Sequence, residues 1–212
     1  MSAQAGLLIV VSAPSGAGKT SLVAALLEHD PRLRVSVSHT TRARRPKERH
    51  GHDYHFVDPS HFEQMIADGA FLEHAIVFGH RYGTSHEAVQ RELENGRDVI
   101  LEIDWQGAAQ IRERFADAIS IFILPPSRAT LIERLRKRGQ DDDAVIAERT
   151  RKAVEEMSHY REFDFLIVND DFETAVAEIA AVIRSERLRE PRQSVAHAAL
   201  LADLLKPPVT RP

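Results

Sequence analysis

Short, wholly apolar runs along the chain are separated by longer segments whose apolar positions recur at helical spacing. Leu7–Ser12 is a continuous apolar run of strand length, the pattern of a strand buried on both faces of a parallel sheet. A glycine-rich turn follows, and then Lys19–His29, where Leu22, Val23, Leu26 and Leu27 share one helical stripe. Val99–Ile103, Ile119–Leu124 and Phe165–Val168 repeat the buried-strand pattern, and shorter strands are expected at Val35–Ser38 and Tyr54–Val57. Helices are expected over His61–Asp68, over Glu87–Glu94 with Asn95-Gly96 as its stop, and over Phe172–Arg189. Pro125-Pro126 ends the third apolar strand, and Ser127 can cap the helix after it. That helix is expected to break at Gly139–Asp143 and another to run from Ala144 to Tyr160. A short helix at Ala196–Leu205 offers a partner surface, and Lys206–Pro212, with three prolines, reads as a frayed end.

Apolar strands alternating with helices predict an α/β fold around a parallel sheet, and 212 residues suit one domain with a small inserted part. The net charge of -4, from 28 basic against 32 acidic residues, argues against a nucleic-acid partner. The absence of cysteine excludes disulfides, thiolate metal sites and a cysteine nucleophile. No apolar run approaches the ~20 residues that span a bilayer, and the first residues lack the basic start of a secretory signal. A cytoplasmic protein with no membrane partner is the expectation, and a homo-oligomer is left open.

The strongest chemical signal is Ser12-Ala13-Pro14-Ser15-Gly16-Ala17-Gly18-Lys19-Thr20, set between a buried strand and an amphipathic helix. Its glycines let successive N–H groups turn inward, and the helix that follows adds its positive dipole end. Lys19 can reach the β- and γ-phosphates, and the Thr20 hydroxyl can hold Mg²⁺. The first position of the usual pattern is Ala13 rather than glycine. The loop specifies a nucleoside triphosphate with Mg²⁺ and leaves the acceptor unnamed.

Arg42, Arg44, Arg45, Lys47 and Arg49 lie close together, with Tyr54 and later Tyr82 nearby in the sequence. Such a cluster is either a solvated loop or a phosphate grip built on bidentate arginine. Glu102 and Asp104 end a strand two residues apart, a spacing that puts both on one side, near the Mg²⁺–phosphate region. Arg134, Arg136, Lys137 and Arg138, followed by Arg149 and Arg151, fit a solvated helix face or a kinase lid. His50, His52 and His55 lack a cysteine or a clear fourth metal ligand and are expected to line a polar loop.

Several motifs occur together and in order: the loop just described, Val-Ser-His-Thr-Thr-Arg ending at Arg42, Phe-Leu-Glu73-His, Tyr82-Gly-Thr84-Ser, Ile-Asp104-Trp-Gln-Gly, Ile-Phe-Ile-Leu-Pro-Pro-Ser and Ile-Val-Asn169-Asp-Asp. On these the chain resembles the guanylate kinase family over roughly residues 6–190. The resemblance implies a P-loop NTPase-like sheet flanked by helices, with core segments 6–34, 97–124 and 163–190. It further implies a GMP-binding insert over 35–96, a helical lid over 125–162 and a C-terminal extension over 191–212. The implied reaction moves the γ-phosphoryl of ATP to GMP.

The resemblance places ATP on Ala13, Pro14, Ser15, Gly16, Ala17, Gly18, Lys19, Thr20 and Ser21, with Arg138 and Asn169 toward the adenine. It places the GMP phosphate on Arg42, Arg45, Tyr54 and Tyr82 and the base on Ser38, Glu73 and Thr84, with Glu102 and Asp104 on the same side. Lys19, Arg42, Arg134, Arg138 and Arg149 are the implied catalytic set, and Mg²⁺ is implied on Thr20 and, through water, on Glu102. Relatives often carry Asp where this chain has Glu102. The base assignment makes chemical sense by itself. One carboxylate accepts both N1–H and N2–H₂ of guanine, whereas adenine offers neither donor and leaves the carboxylate unpaired. Two rivals remain: a kinase for another phosphorylated acceptor, and a non-enzymatic module of similar sequence, against which Lys19 and Thr20 stand intact.

Overall fold

Strand β1 (Leu8–Ser12) is fully buried, as a run without polar alternation must be, and α1 (Lys19–His29) follows directly after the glycine-rich turn. The chain continues through β2 (Leu33–Val35), β3 (His39–Thr40), β4 (His55–Phe56), α2 (Pro59–Ala67), β5 (Phe71–Val77), β6 (His80–Ser85) and α3 (His86–Glu94). It then forms β7 (Asp98–Glu102), α4 (Trp105–Arg114), β8 (Ile119–Leu124), α5 (Arg128–Arg138) and α6 (Asp143–Ser158). After a 3-10 turn at His159–Glu162 come β9 (Phe165–Val168), α7 (Phe172–Arg187), α8 (Glu190–Ala196) and α9 (Ala198–Leu204). The computed structural model describes residues 5–77, 79–138 and 143–206. The Arg138 side chain, residues 139–142 of the expected helix break and the prolines beyond Lys206 lie outside the described residues.

The main sheet has the order β2-β7-β1-β8-β9 with every pairing parallel. Because successive side chains on a strand point to opposite faces, β1 feeds two cores. Ile9 and Val11 pack with Leu22 and Leu26 of α1 and Ile179 and Ile183 of α7, while Leu8 and Val10 pack with Val89 of α3 and Ile111 of α4. Helices therefore cover both faces, and the strand ends carry the loops. Leu131 and Leu135 of α5 pack on Ala153 of α6 in a small core of their own.

A second sheet, β4-β3-β6-β5, is mostly antiparallel. Its β5–β6 hairpin has no clean apolar alternation to announce it, since His80–Ser85 is largely polar and Phe71–Val77 carries Glu73 and His74. The strand expected at Val35–Ser38 divides between the sheets: its start completes β2, and the chain then crosses to β3. Ser36 N–H donates to Ile100 O on one side, and Ser38 O accepts from His55 N–H on the other. The strand expected at Tyr54–Val57 shortens to β4. Helix α2 starts two residues before the expected His61, because Asp58 caps it through His61 N–H and Pro59 suits the first turn. The helix expected at Ala196–Leu205 forms as α9 and begins two residues later, with α8 preceding it as a separate helix; neither buries a residue. No described helix is long and apolar enough to cross a membrane.

One buried ion-pair cluster ties the ends of the main sheet together. Arg187 of α7 donates from Nε to Asp98 Oδ2 at 2.6 Å and from Nη1 to Asp30, while Asp98 Oδ1 accepts from Leu7 N–H at 2.6 Å. Asp98 is 5% exposed, so removing its cation leaves a buried charge uncompensated. Arg187→Ala is expected to lower unfolding stability by about 3–5 kcal/mol in urea titration; a loss below ~1 kcal/mol would mean that the pair contributes little.

Candidate active site

The turn between β1 and α1 needs two left-handed residues, and glycine occupies both: Gly16 at φ 95° and Gly18 at φ 98°. A side chain at Gly18 would also come within 2.4 Å of Asn169 Nδ2. That contact reflects how the loop is held. Buried Asn169, just after β9, donates from Nδ2 to Ala17 O at 2.7 Å. Arg134 of α5 reaches Ala17 O at 3.4 Å and Asn169 O at 3.2 Å. Asn169, expected near an adenine, therefore also braces the loop from behind. Ala13 packs at the edge of the core, Pro14 is buried, and Ser21 faces solvent on α1.

Lys19 opens α1 and donates from Nζ to Ile103 O at 3.3 Å, at the exit of β7. Thr20 Oγ1 donates to Glu102 Oε2 at 3.2 Å. A hydroxyl and a carboxylate from different elements thus converge beside the loop, an all-oxygen pair that suits a hard divalent cation keeping much of its water. Asp104 is engaged differently. The strand alternation ends at Glu102, and Asp104 caps α4 through Gly107 N–H at 3.0 Å while accepting from Gln106 Nε2 at 3.0 Å.

A second group of cationic and phenolic side chains forms across the small sheet. The Arg42 guanidinium lies 5.5 Å from the Tyr54 ring centre, and the Tyr54 and Tyr82 rings are 5.9 Å apart. Glu48 binds this group: it accepts from Arg42 Nη2 at 2.7 Å and from Arg45 N–H at 2.8 Å. The hydrogen bond from Arg42 holds the Glu48 carboxyl below its ordinary range, and the same bond raises Arg42. Burial pushes the Tyr54 phenol above its ordinary value. The Arg45 side chain is exposed and makes a long ion pair with Glu48 at 3.9 Å.

On β5 of the small sheet sits Glu73. It is 3% exposed, pairs across the hairpin with Thr84, and accepts from Thr84 Oγ1 at 2.5 Å. Ser38 immediately precedes the His39–Gly83 pair of the ladder and Thr84 immediately follows it, so hydroxyls approach from β3 and β6. Burial raises the Glu73 carboxyl to about 7, helped by the Asp104 charge and opposed by the Thr84 hydrogen bond and Lys19. Helix α4 passes so close that a Cβ at Gly107 would lie 2.4 Å from Glu73 Oε2.

Of the expected lid arginines, Arg134 contacts the loop, Arg149 is half-buried on α6, and the Arg138 side chain is outside the described residues. Trp105 stacks on His159 with ring centres 3.6 Å apart, joining α4 to the end of α6. His39 and His55 stack at 4.6 Å, and His50 meets His55 edge-on. Burial lowers His39 to about 4. No group of three or more His, Cys, Asp or Glu among the described residues is arranged to hold a metal.

Sequence reasoning gave no role to Glu48, Glu156 or Gly107. Glu156 of α6 accepts from Ser15 N–H at 3.1 Å. Glu48 lies within the basic cluster and could have been marked as its counter-charge; Glu156 is 141 residues from its partner and leaves no local signal.

A sequence profile described as guanylate kinase matches residues 5–186. A guanylate kinase of Chromohalobacter salexigens is 59% identical over 200 residues, covering 94% of this chain and 93% of that protein. One of Escherichia coli (strain K12) is 58% identical over 202 residues, covering 94% and 98%. The crystal structure of guanylate kinase from Anaplasma phagocytophilum aligns with a TM-score of 0.74 at 36% identity, covering 89% of this chain and 90% of that one.

Gly107→Ala puts a methyl where the Glu73 carboxylate lies, so either the carboxylate or α4 must shift. The variant is expected to lose about 1–3 kcal/mol of unfolding stability in urea titration, since overpacking a filled site forces its neighbours to move. Unchanged stability would mean that Glu73 and α4 yield to the methyl without cost.

Proposed function

This chain belongs to the guanylate kinase family and transfers the γ-phosphoryl of ATP to GMP, giving ADP and GDP, and we propose that it does so between the two anion-binding groups just described. The phosphate loop, residues 13–21, takes the ATP phosphates, with Arg138 and Asn169 toward the adenine. Arg42, Arg45, Tyr54 and Tyr82 take the GMP phosphate, and Ser38, Glu73 and Thr84 read the guanine. The observation that carries the acceptor assignment is the buried Glu73 carboxylate, with Thr84 beside it and Gly107 clearing its space. An ionised carboxylate there can accept N1–H and N2–H₂ together while Thr84 steadies it, and the hydroxyl of Ser38 is a donor suited to O6.

The proposed division of labour follows the elements. The second sheet falls wholly within the insert 35–96, and α5 and α6 fall within the lid 125–162, around the core segments 6–34, 97–124 and 163–190. Residues 191–212, which hold α9 and all of α8 but its first residue, form an extension outside this scheme. Free nucleotides are the proposed partners and the cytoplasm the proposed location, in keeping with the acidic net charge of -4.

The reaction asks for little covalent work from the protein. A phosphate oxygen of GMP, already anionic, bonds to the γ-phosphorus, and the bond to the β–γ bridging oxygen breaks in line, its electron pair leaving with ADP. No general base is needed. Lys19, Arg42, Arg134, Arg138 and Arg149 are proposed to neutralise the charge that gathers on the transferred group. Mg²⁺ is the proposed metal, held by Thr20 and through water by Glu102, and when bound it supplies further charge neutralisation at the phosphates. Closure of the insert and the lid excludes water, which would otherwise accept the phosphoryl group.

Lys19→Ala is expected to reduce kcat by at least about 10³-fold with an unaltered circular dichroism spectrum, since it removes a charge aimed at the transferred phosphoryl. Retained turnover would exclude Lys19 from the reaction. Accepting two N–H donors requires Glu73 to be ionised. Because its carboxyl is raised to about 7, kcat/KM for GMP should climb as pH rises through that value and level off above it. Glu73→Gln should remove that limb and lower kcat/KM for GMP by about 10²-fold, through the loss of charge-assisted hydrogen bonds. A Gln variant with the wild-type preference for GMP would refute the base-reading role.

A further inference from the structure

The phosphate loop already holds an anion that belongs to the chain. Glu156 projects from α6 and accepts the Ser15 N–H at 3.1 Å, a donor of the loop that cradles phosphates. Lys19 lies close enough to favour its charged form, while burial and the neighbouring charges of Asp104 and Glu155 oppose it. Helix α6 is held in place by packing. Ala153, three residues before Glu156, is fully buried against Leu131 and Leu135 of α5, and a Cβ at Gly16 would meet Leu131 Cδ1 at 3.0 Å. Arg134 adds hydrogen bonds from α5 to Ala17 and Asn169. The lid helices and the loop are thus one packed unit with the Glu156 carboxylate directed into it.

One N–H cannot donate full hydrogen bonds to a carboxylate and to a phosphate at once, and two anions at one donor repel. We propose that Glu156 is an internal competitor for the donor nucleotide: a lid-borne carboxylate that the incoming phosphates displace, so that donor binding and release of α6 from the loop are coupled. On product departure the carboxylate returns to Ser15, which speeds the loss of ADP. Glu156 in this role is a positioning residue that sets donor affinity, and its action rests on the phosphate loop being the donor site.

Calorimetry on the full chain with Mg²⁺ and ADP, comparing wild type, Glu156→Gln and Glu156→Ala, tests the idea. Removing the competing charge should tighten ADP binding roughly tenfold in both variants, because the bound state no longer has to displace a self-bound form. Inorganic pyrophosphate, a probe of the cradle alone, should gain in the same direction. GMP affinity should stay within about twofold, which verifies the fold. A purely structural role for Glu156 predicts no gain, so equal or weaker ADP binding with GMP binding intact overturns the proposal. If wild type binds GMP but no ADP, the donor-site reading fails and the proposal falls with it. A further readout uses the unmodified protein: Trp105, the single tryptophan, stacks on His159 three residues beyond Glu156. Pyrophosphate alone should shift its emission as α6 moves, and an unchanged spectrum at saturation counts against the coupling.

Discussion

Burying a carboxylate away from water is costly unless donors meet it, and Glu73 imposes that condition on the elements around it. Its carboxylate meets Thr84 across the β5–β6 hairpin and abuts Gly107 on α4. The hairpin must therefore keep its register, and α4 must start where it does. Asp104 fixes that start by capping α4, and its charge also helps to raise the Glu73 carboxyl. Lys19, from the phosphate loop, pulls the other way. The acceptor side and the donor side are thereby linked through one buried group. In the proposed complex a guanine supplying two N–H donors satisfies it, and an adenine cannot.

Phosphoryl transfer between two anions is an electrostatic problem before it is a chemical one. Several donors and cations here are held by the chain's own carboxylates or carbonyls. Glu48 takes Arg42, Glu156 takes Ser15 N–H, and Ile103 O takes the Lys19 ammonium. Such partners offset the cost of clustering unpaired donors and cations, and substrates must exchange with them.

The parallel core was legible because its signal is local. A run such as Leu8–Ser12 fits a strand buried on both faces, and the glycines after it fit a left-handed turn at Gly16 and Gly18. The β5–β6 hairpin of the small sheet was not, because β6 is a largely polar strand without the alternation that betrays one. The candidate phosphate and base groups were named from motifs, and Arg42, Tyr54 and Tyr82 do come together. What escaped were relations across distance. That Gly107 clears space for Glu73, that Asn169 braces Ala17, and that Glu156 reaches Ser15 depends on packing that no spacing rule encodes.

The central claim is that a buried carboxylate selects the acceptor. A coupled assay of ADP release with saturating ATP and Mg²⁺, run in parallel on GMP, IMP, AMP and dTMP, tests it most directly. GMP should exceed AMP by roughly 10⁴-fold in kcat/KM, because an adenine leaves the carboxylate unpaired. IMP, which keeps N1–H and lacks the 2-amino group, should fall between them. Comparable rates with GMP and AMP would contradict the account.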